Sequence, residues 1–493
     1  MHNVDSGISP NKELRLIVVR PFPRFVFLAG LLGLWLMTPC LEAGLITFTN
    51  LISFNGTNGA NPVPALVQGM DGNFYGTTLN GGTNSDGAIF GISADGSFFT
   101  NFYNFSGGTN GAAPASALIL GTDGNFYGTT SSGGVSNWGT VFQISTNGAY
   151  NQLAQLAGTN GANPAVALLQ GPDGSFYGAT KYGGPFPNTT QGGAGYGTIF
   201  QVTTNGTLAT PVLFNSTNGA NAAALVRGND GNFYGTTAWG GNINSFRLGF
   251  GTIFRLSPDG TFTNLYKFTG GNDGGFPDAS LVLGSDGNFY GCTTSGGSNQ
   301  IGTVFRITPD GQFKSLYSFP NSNTGSYPYA ALVQGSDGNF YGTTYIGGSN
   351  QLGSVFQITP NGSLTQLISF TGTGGSYPGA NPQGSLVQGT DGNFYGVTYA
   401  GGTYNNGTVF RLSVPLPPVF KSVANTAGTV TLAWSAVAGQ SYQLEYTTNL
   451  ALPSWNGVGN GVVATNGTMT AFDSPGTDPQ RFYRVVLFDP AFQ

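Results

Sequence analysis

A chain of 493 residues with a single histidine, His2, has few ways to move a proton near neutral pH. That histidine lies ahead of a basic and then apolar N-terminal stretch that reads as a leader, so the remainder has none. Ser-His-Asp triads, Cys-His pairs and nearly all zinc sites are thereby excluded. From residue 44 onward Glu445 is the only glutamate, and aspartate is the one remaining source of paired carboxylates for glycoside hydrolysis. Ten of the 16 aspartates in that portion fall in recurrent turns: Asp71, Asp123, Asp173, Asp230, Asp286, Asp337 and Asp391 in one kind, Asp95, Asp259 and Asp310 in another. Asp-Gly suits a tight connection because both residues accept left-handed backbone angles, so these aspartates are assigned to turn geometry. Within the repeats Asp86, Asp273 and Asp278 remain. The last two sit in Asn272-Asp273-Gly274-Gly275-Phe276-Pro277-Asp278, whose spacing matches no EF-hand loop, and they are assigned to loop solvation. No catalytic residue, metal site or cofactor is expected.

The first set of turns marks the repeat. Asp-Gly-Asn-Phe-Tyr-Gly occurs seven times, with Ser175 replacing Asn in the third copy, at intervals of 52, 50, 57, 56, 51 and 54 residues. That period is close to propeller repeats and too long for ankyrin or tetratricopeptide units. Within residues 331–370 a short apolar run, the Asp-Gly turn, an aromatic run at 339–344, an alternating run at 354–359 and another at 363–370 predict four antiparallel strands. The seventh copy stops after three, at residues 385–388, 393–398 and 408–413, and residues 46–54 supply an unmatched fourth. The expected fold is all-β: a seven-bladed β-propeller whose N-terminal strand closes the last blade, followed by a small β-sandwich.

Residues 1–43 are expected to be a signal peptide, with Lys12, Arg15, Arg20 and Arg24 before an apolar run too short to span a bilayer. Beyond it, 11 Lys plus Arg stand against 17 Asp plus Glu, a net charge of −6, which argues against nucleic acid. No membrane span is expected in the mature chain. Cys292 occupies a place where sister repeats have Thr77 and Thr129, and reads as a small strand residue.

Strand alternation puts both sets of Asp-Gly turns at one end of the blades and the variable loops at the other. Two loops, residues 181–197 and 238–251, are long. They and their counterparts offer Trp138, Lys181, Tyr182, Phe186, Tyr196, Trp239, Phe246, Arg247, Phe250, Tyr345 and Tyr404 as an aromatic, Asn- and Thr-flanked rim able to stack sugar rings or anchor a protein. The same rings could instead pin Gly-rich loops to the disc. Residues 414–418 are a Pro-rich linker. Residues 419–490, with Val430-Thr431-Leu432-Ala433-Trp434, Tyr442-Gln443-Leu444-Glu445-Tyr446 and Phe482-Tyr483-Arg484-Val485, resemble a short fibronectin type III sandwich.

The full repeat, Leu-Val-x-Gly-x-Asp-Gly-Asn-Phe-Tyr-Gly-Thr-Thr, then Gly-Gly, then Gly-Thr-Val-Phe-x-Ile-Thr, resembles that of the bacterial choice-of-anchor GloVer-type proteins over about three quarters of the chain. The resemblance implies an exported, surface-associated or secreted protein with no established activity. Relatives of that kind carry differing C-terminal anchors, whereas this chain ends in Asp489-Pro490-Ala491-Phe492-Gln493, so docking through the C-terminal module or secretion is expected. The turn at residues 257–262 resembles the Asp-box of sialidase propellers, but the arginine cluster such enzymes need is missing. The functional expectation is a non-enzymatic propeller, at the cell surface or outside it, that binds a glycan or surface protein through its variable-loop face. The alternatives are a carbohydrate-active enzyme using Asp86, Asp273 or Asp278, and a structural tile of an extracellular layer.

Overall fold

The computed structural model describes residues 46–488 apart from 165, 186–194, 243–248, 321–322, 416–417, 427, 450–453, 477 and 479. The signal-peptide expectation lies outside the described residues. The described residues divide into two compact units, one within residues 48–388 and 394–412, the other within 46–47, 389–393 and 413–488.

The larger unit is built of antiparallel sheets, one per hexapeptide. In the sixth, the strands Val333–Gln334, Phe340–Thr344, Ser354–Ile358 and Leu364–Ser369 lie side by side in chain order. The same order recurs in the sheets opened by Val67–Gln68, Ile119–Leu120, Leu169–Gln170 and Val282–Leu283. In the fourth, both Ala220–Ala222 and Val226–Arg227 pair with Phe233–Trp239. The seventh takes its outer strand, Thr47–Ser53, from the N-terminal end, paired on Thr408–Ser413. The first strand of each sheet is shorter than alternation suggests: of residues 331–334, only Val333–Gln334 pairs. Buried threonines of the preceding sheet take the backbone carbonyls upstream, as Thr77 does with Pro114 at 2.9 Å and Thr236 with Ala279 at 2.8 Å, and so stand in for the missing ladder.

The hexapeptide aromatics join sheet to sheet. Each tyrosine packs on the phenylalanine of the next copy: Tyr75 on Phe126 with ring centres 4.3 Å apart, Tyr234 on Phe289 at 4.1 Å, Tyr341 on Phe394 at 4.2 Å. Tyr395 of the seventh copy packs on Phe74 of the first at 3.9 Å, so the succession returns to its start. These rings are essentially fully buried and anchor the apolar clusters between neighbouring sheets. The last glycine of each hexapeptide lies under the third-strand phenylalanine of its own sheet; a Cβ at Gly235 would stand 2.5 Å from Phe254 Cζ.

In the smaller unit, Phe420–Thr426, Thr429–Ser435 and Thr468–Asp473 form one sheet. Ser441–Thr447 centres a second, between Phe482–Phe488 and the short strands Asn456–Gly457 and Val462–Val463. Both sheets contribute to one core around Val430, Leu432, Trp434, Tyr442, Leu444 and Tyr483. Glu445 is held by Arg484 at 2.7 Å, which removes the single glutamate from consideration as a catalytic acid.

Candidate functional site

At the hairpin-turn end, aspartate is consumed by structure. Asp123 Oδ1 accepts the Asn125 backbone N–H at 3.1 Å, and Oδ2 accepts the Asn125 amide at 2.8 Å and the Tyr127 hydroxyl at 2.7 Å. Asp71, Asp230 and Asp286 repeat the pattern. Where Ser175 replaces the asparagine, the amide donor is lost and Tyr177 stands off at 3.4 Å, with Gln201 bonding Asp173 at 2.9 Å instead. Burial pushes these carboxyls up, but the tyrosine, asparagine and backbone donors outweigh it and hold Asp71, Asp123, Asp230 and Asp286 below the usual range. A carboxylate kept ionised and saturated with donors is a poor acid and a blocked base. Asp95, in the other set of turns, is likewise held low, by Ser93 and Ser97.

The loop end is fastened differently. The second and third strands close through buried hydroxyl pairs, Thr130 with Thr140 and Thr398 with Thr408, each at 2.8 Å. Beyond them, one residue in each crossover adopts a left-handed backbone: Asn61, Ala113, Asn163, Asn221, Phe276, Tyr327 and Asn381, with φ between 53° and 57°. Its N–H bonds the preceding sheet, as Ala113 does with Asp86 O at 2.9 Å, and its carbonyl takes an N–H from its own sheet, as from Ser131 at 3.0 Å. Each crossover is thus pinned on both sides, a rigid base for side chains above it.

Of the residues the sequence singled out, Phe186, Phe246 and Arg247 lie outside the described residues. Trp138 and Tyr404 project from their loops, 45% and 59% exposed. Trp239 and Phe250 do not form a free rim: they pack on Phe276 with ring centres 4.6 and 5.5 Å away. Tyr196 is half-buried against the apolar cluster of its sheet, and Tyr182 is half-buried with its backbone paired to Ala162. Tyr345 meets Tyr329, a residue the sequence reading passed over, edge to face at 5.3 Å.

The three spare aspartates do not assemble into a pair. Asp273 is tied down inside its own crossover by the Thr269 N–H at 2.9 Å and by the hydroxyl of Tyr266, on the outer strand of the fourth sheet, at 3.1 Å. Asp278 instead accepts from the Thr294 hydroxyl at 2.9 Å. Desolvation by surrounding protein pushes its carboxyl up, opposed by Thr294 and by the Lys181 ammonium. Asp278 is nevertheless exposed to solvent. Screening by that water trims the shift without reversing it. Cys292 is fully buried and its thiol is pushed up to about 12 by burial, so it is no nucleophile. Among the described residues no group of three or more His, Cys, Asp or Glu could hold a metal ion, and no helix is long and apolar enough to cross a membrane.

Among solved structures, the chain is similar to the extracellular domains of two proteins of B. thetaiotaomicron described as hybrid two-component systems, at 10% and 11% identity and a TM-score of 0.48 in each case. Each match covers 90% of this chain but 59% and 55% of those domains, so the chain spans less than two thirds of their length. A gluconolactonase of Xanthomonas campestris is similar at 12% identity and a TM-score of 0.38, over 76% of this chain and 99% of that one. No curated protein matches it in sequence. The model of the Gloeobacter/Verrucomicrobia repeat matches residues 35–190 and 186–410, most of the chain and all seven hexapeptides, and the chain belongs to that repeat family.

Proposed function

We propose that the protein is an exported, non-enzymatic seven-bladed β-propeller, followed by a fibronectin type III-like sandwich, and that it binds a glycan through the loop end of its blades. The observation that carries this reading is the division of labour between the two ends. Carboxylates are locked into hydrogen bonds at the turn end, while the loop end displays Trp138 and Tyr404 on crossovers pinned by backbone bonds. A rigid scaffold carrying exposed aromatics and few charges suits stacking on sugar rings. Asp273 and Asp278 are engaged by different partners, Tyr266 and Thr294, which weighs against a hydrolase that needs two free carboxyls across one bond.

The test is incubation of residues 44–493 with immobilised xylan, laminarin, carrageenan and peptidoglycan, scoring retention and new reducing ends. Retention without new ends, weakened by Trp138→Ala or Tyr404→Ala, is the expected result. New reducing ends would overturn the non-enzymatic reading, and absence of retention on every matrix would overturn glycan binding.

A further inference from the structure

Lined up on the hexapeptide, the seven copies agree closely along the hexapeptide strand and differ at several places around the crossovers, two of which bear on a ligand. Eight residues after each aspartate stand Leu79, Ser131, Lys181, Ala238, Thr294, Tyr345 and Tyr399; eight before it, among the described residues, stand Val63, Ala115, Ala222, Asp278, Tyr329 and Gln383. Both places flank the left-handed crossover residue, and the later one is tied to it through the backbone, as Thr294 N–H is to Phe276 O at 3.1 Å and Tyr345 N–H to Tyr327 O at 3.1 Å. First strands of neighbouring sheets lie beside one another, Val67–Gln68 by Ile119–Leu120 and Val226–Arg227 by Val282–Leu283. The two sets therefore surround the loop-end mouth of the space those first strands enclose.

On one side of that mouth the chemistry is concentrated. Asp278 accepts from Thr294 at 2.9 Å and acts electrostatically on the hydroxyl of Tyr329, which is 40% exposed and packs edge to face on Tyr345. Lys181, from the third sheet, is near enough for its ammonium to stabilise the Asp278 carboxylate, although no direct ion pair closes between them among the described residues. A carboxylate and an ammonium that lie near one another without meeting leave acceptor and donor capacity for a third party. Nothing in the fold requires them, since the sister copies place Ala115 and Ser131 at the corresponding positions.

We infer that Asp278, Lys181, Thr294, Tyr329 and Tyr345 form a saccharide subsite at the mouth of the propeller, the point at which a glycan is read rather than merely held. The inference rests on the glycan-binding reading above. A sugar unit is the class that fits: its vicinal hydroxyls match a bidentate carboxylate on one side and an ammonium on the other, and its C–H face matches the exposed Tyr329 ring. One acid and one base leave the mouth with little net charge, which disfavours a polyanion or a polycation.

The experiment measures affinity for whichever of the four matrices retains the unaltered protein, in Asp278→Asn, Tyr329→Ala and Lys181→Met variants, with Met70→Ser as control. Met70 is 87% exposed at the turn end, away from the loops. Each mouth variant is expected to weaken retention on the order of tenfold or more, the worth of a charge-assisted hydrogen bond, while unfolding cooperatively, as the parent does. Tyr329→Phe, which keeps the ring, is expected to retain most of the affinity. Parental affinity in all three mouth variants, with Trp138→Ala still impaired, would sink the subsite and leave glycan binding standing; no retention by the parent would sink both.

Discussion

A close joint in each repeat is the last glycine of the hexapeptide under the third-strand phenylalanine, and Gly291→Ala tests it. A Cβ at Gly291 would lie 2.5 Å from Phe305 Cζ, 3.0 Å from Leu281 Cδ2 and 3.1 Å from Phe305 Cε1. Carbon atoms in comfortable contact stand about 3.5–4.0 Å apart, so the ring would have to withdraw by about 1 Å. Phe305 has nowhere to go: it is fully buried, with Phe268 and Phe313 at ring-centre distances of 5.5 and 5.4 Å. Gly291 does not sit at a positive φ, so the penalty is steric rather than conformational. Overpacking of this kind costs about 1–3 kcal/mol, and a clash with a ring held on both sides belongs at the upper end. Phe305→Leu trims the offending ring at a cavity cost of roughly 1–2 kcal/mol. Because both changes act on the same space, the double variant should be more stable than the sum of the singles by about 1 kcal/mol or more. Urea unfolding midpoints of the parent, both singles and the double decide it. A Gly291→Ala variant within about 0.5 kcal/mol of the parent, or strict additivity, would mean that the glycine is not kept for the ring.

Four further outcomes follow from the same geometry. Ala113→Asn should raise stability by about 1 kcal/mol, the order of the cost of a left-handed alanine, because Asn61 and Asn381 hold the same φ while bonding Tyr399 O and Tyr345 O at 3.0 Å; an unchanged unfolding midpoint would refute this. Asp123→Asn should destabilise at pH 7 and become neutral in acid: the folded carboxyl titrates below its unfolded value near 3.9, so its contribution is present above that value and lost as pH falls through the folded one. Asp278→Asn should behave oppositely, neutral in acid and stabilising near pH 7, since a raised carboxyl contributes fully below its unfolded value and loses that contribution as pH rises through the folded one; unfolding curves of the two variants at pH 2 and 7 read both signs. Cys292 should resist a maleimide in the native protein and react fully in urea, and native labelling would contradict its burial.

The sheets were legible because their signals are local. Asp-Gly fixes the hairpins, alternation fixes the third and fourth strands, and the surplus strand before the first hexapeptide announced the pairing of Thr47–Ser53 with Thr408–Ser413. The site was less legible because exposure is not local. Trp239 and Phe250 look like rim residues among glycines, yet both pack on Phe276, whose ring is aimed by a backbone angle that neither its type nor its neighbours announce. Asparagine in four of the seven equivalent positions was the available signal for that angle, since it accepts left-handed geometry more readily than other side chains. Tyr329 was missed for a related reason: it sits just past a proline, ahead of a strand only two residues long, where periodicity has nothing to measure.

A fold made of seven equivalent sheets has a recognition problem that its own regularity creates. A ligand without that symmetry cannot be read by residues present in every copy, and the Asp and Tyr of the turns and the Tyr-Phe stacks are of that kind. Discrimination has to come from positions where the copies differ and where differing costs the fold little. The residues eight places before and after each hexapeptide aspartate meet both conditions: the backbone at the later position is held by the crossover carbonyl whatever its side chain, as with Leu79 to Asn61 O at 3.1 Å and Lys181 to Asn163 O at 3.2 Å, while the side chains range from alanine to tyrosine. Where main chain carries the structure and side chain is left free, selection can act on binding alone. Charge and aromatic area gathered at Lys181, Asp278, Tyr329 and Tyr345, rather than scattered evenly over seven copies, are what an asymmetric ligand would require.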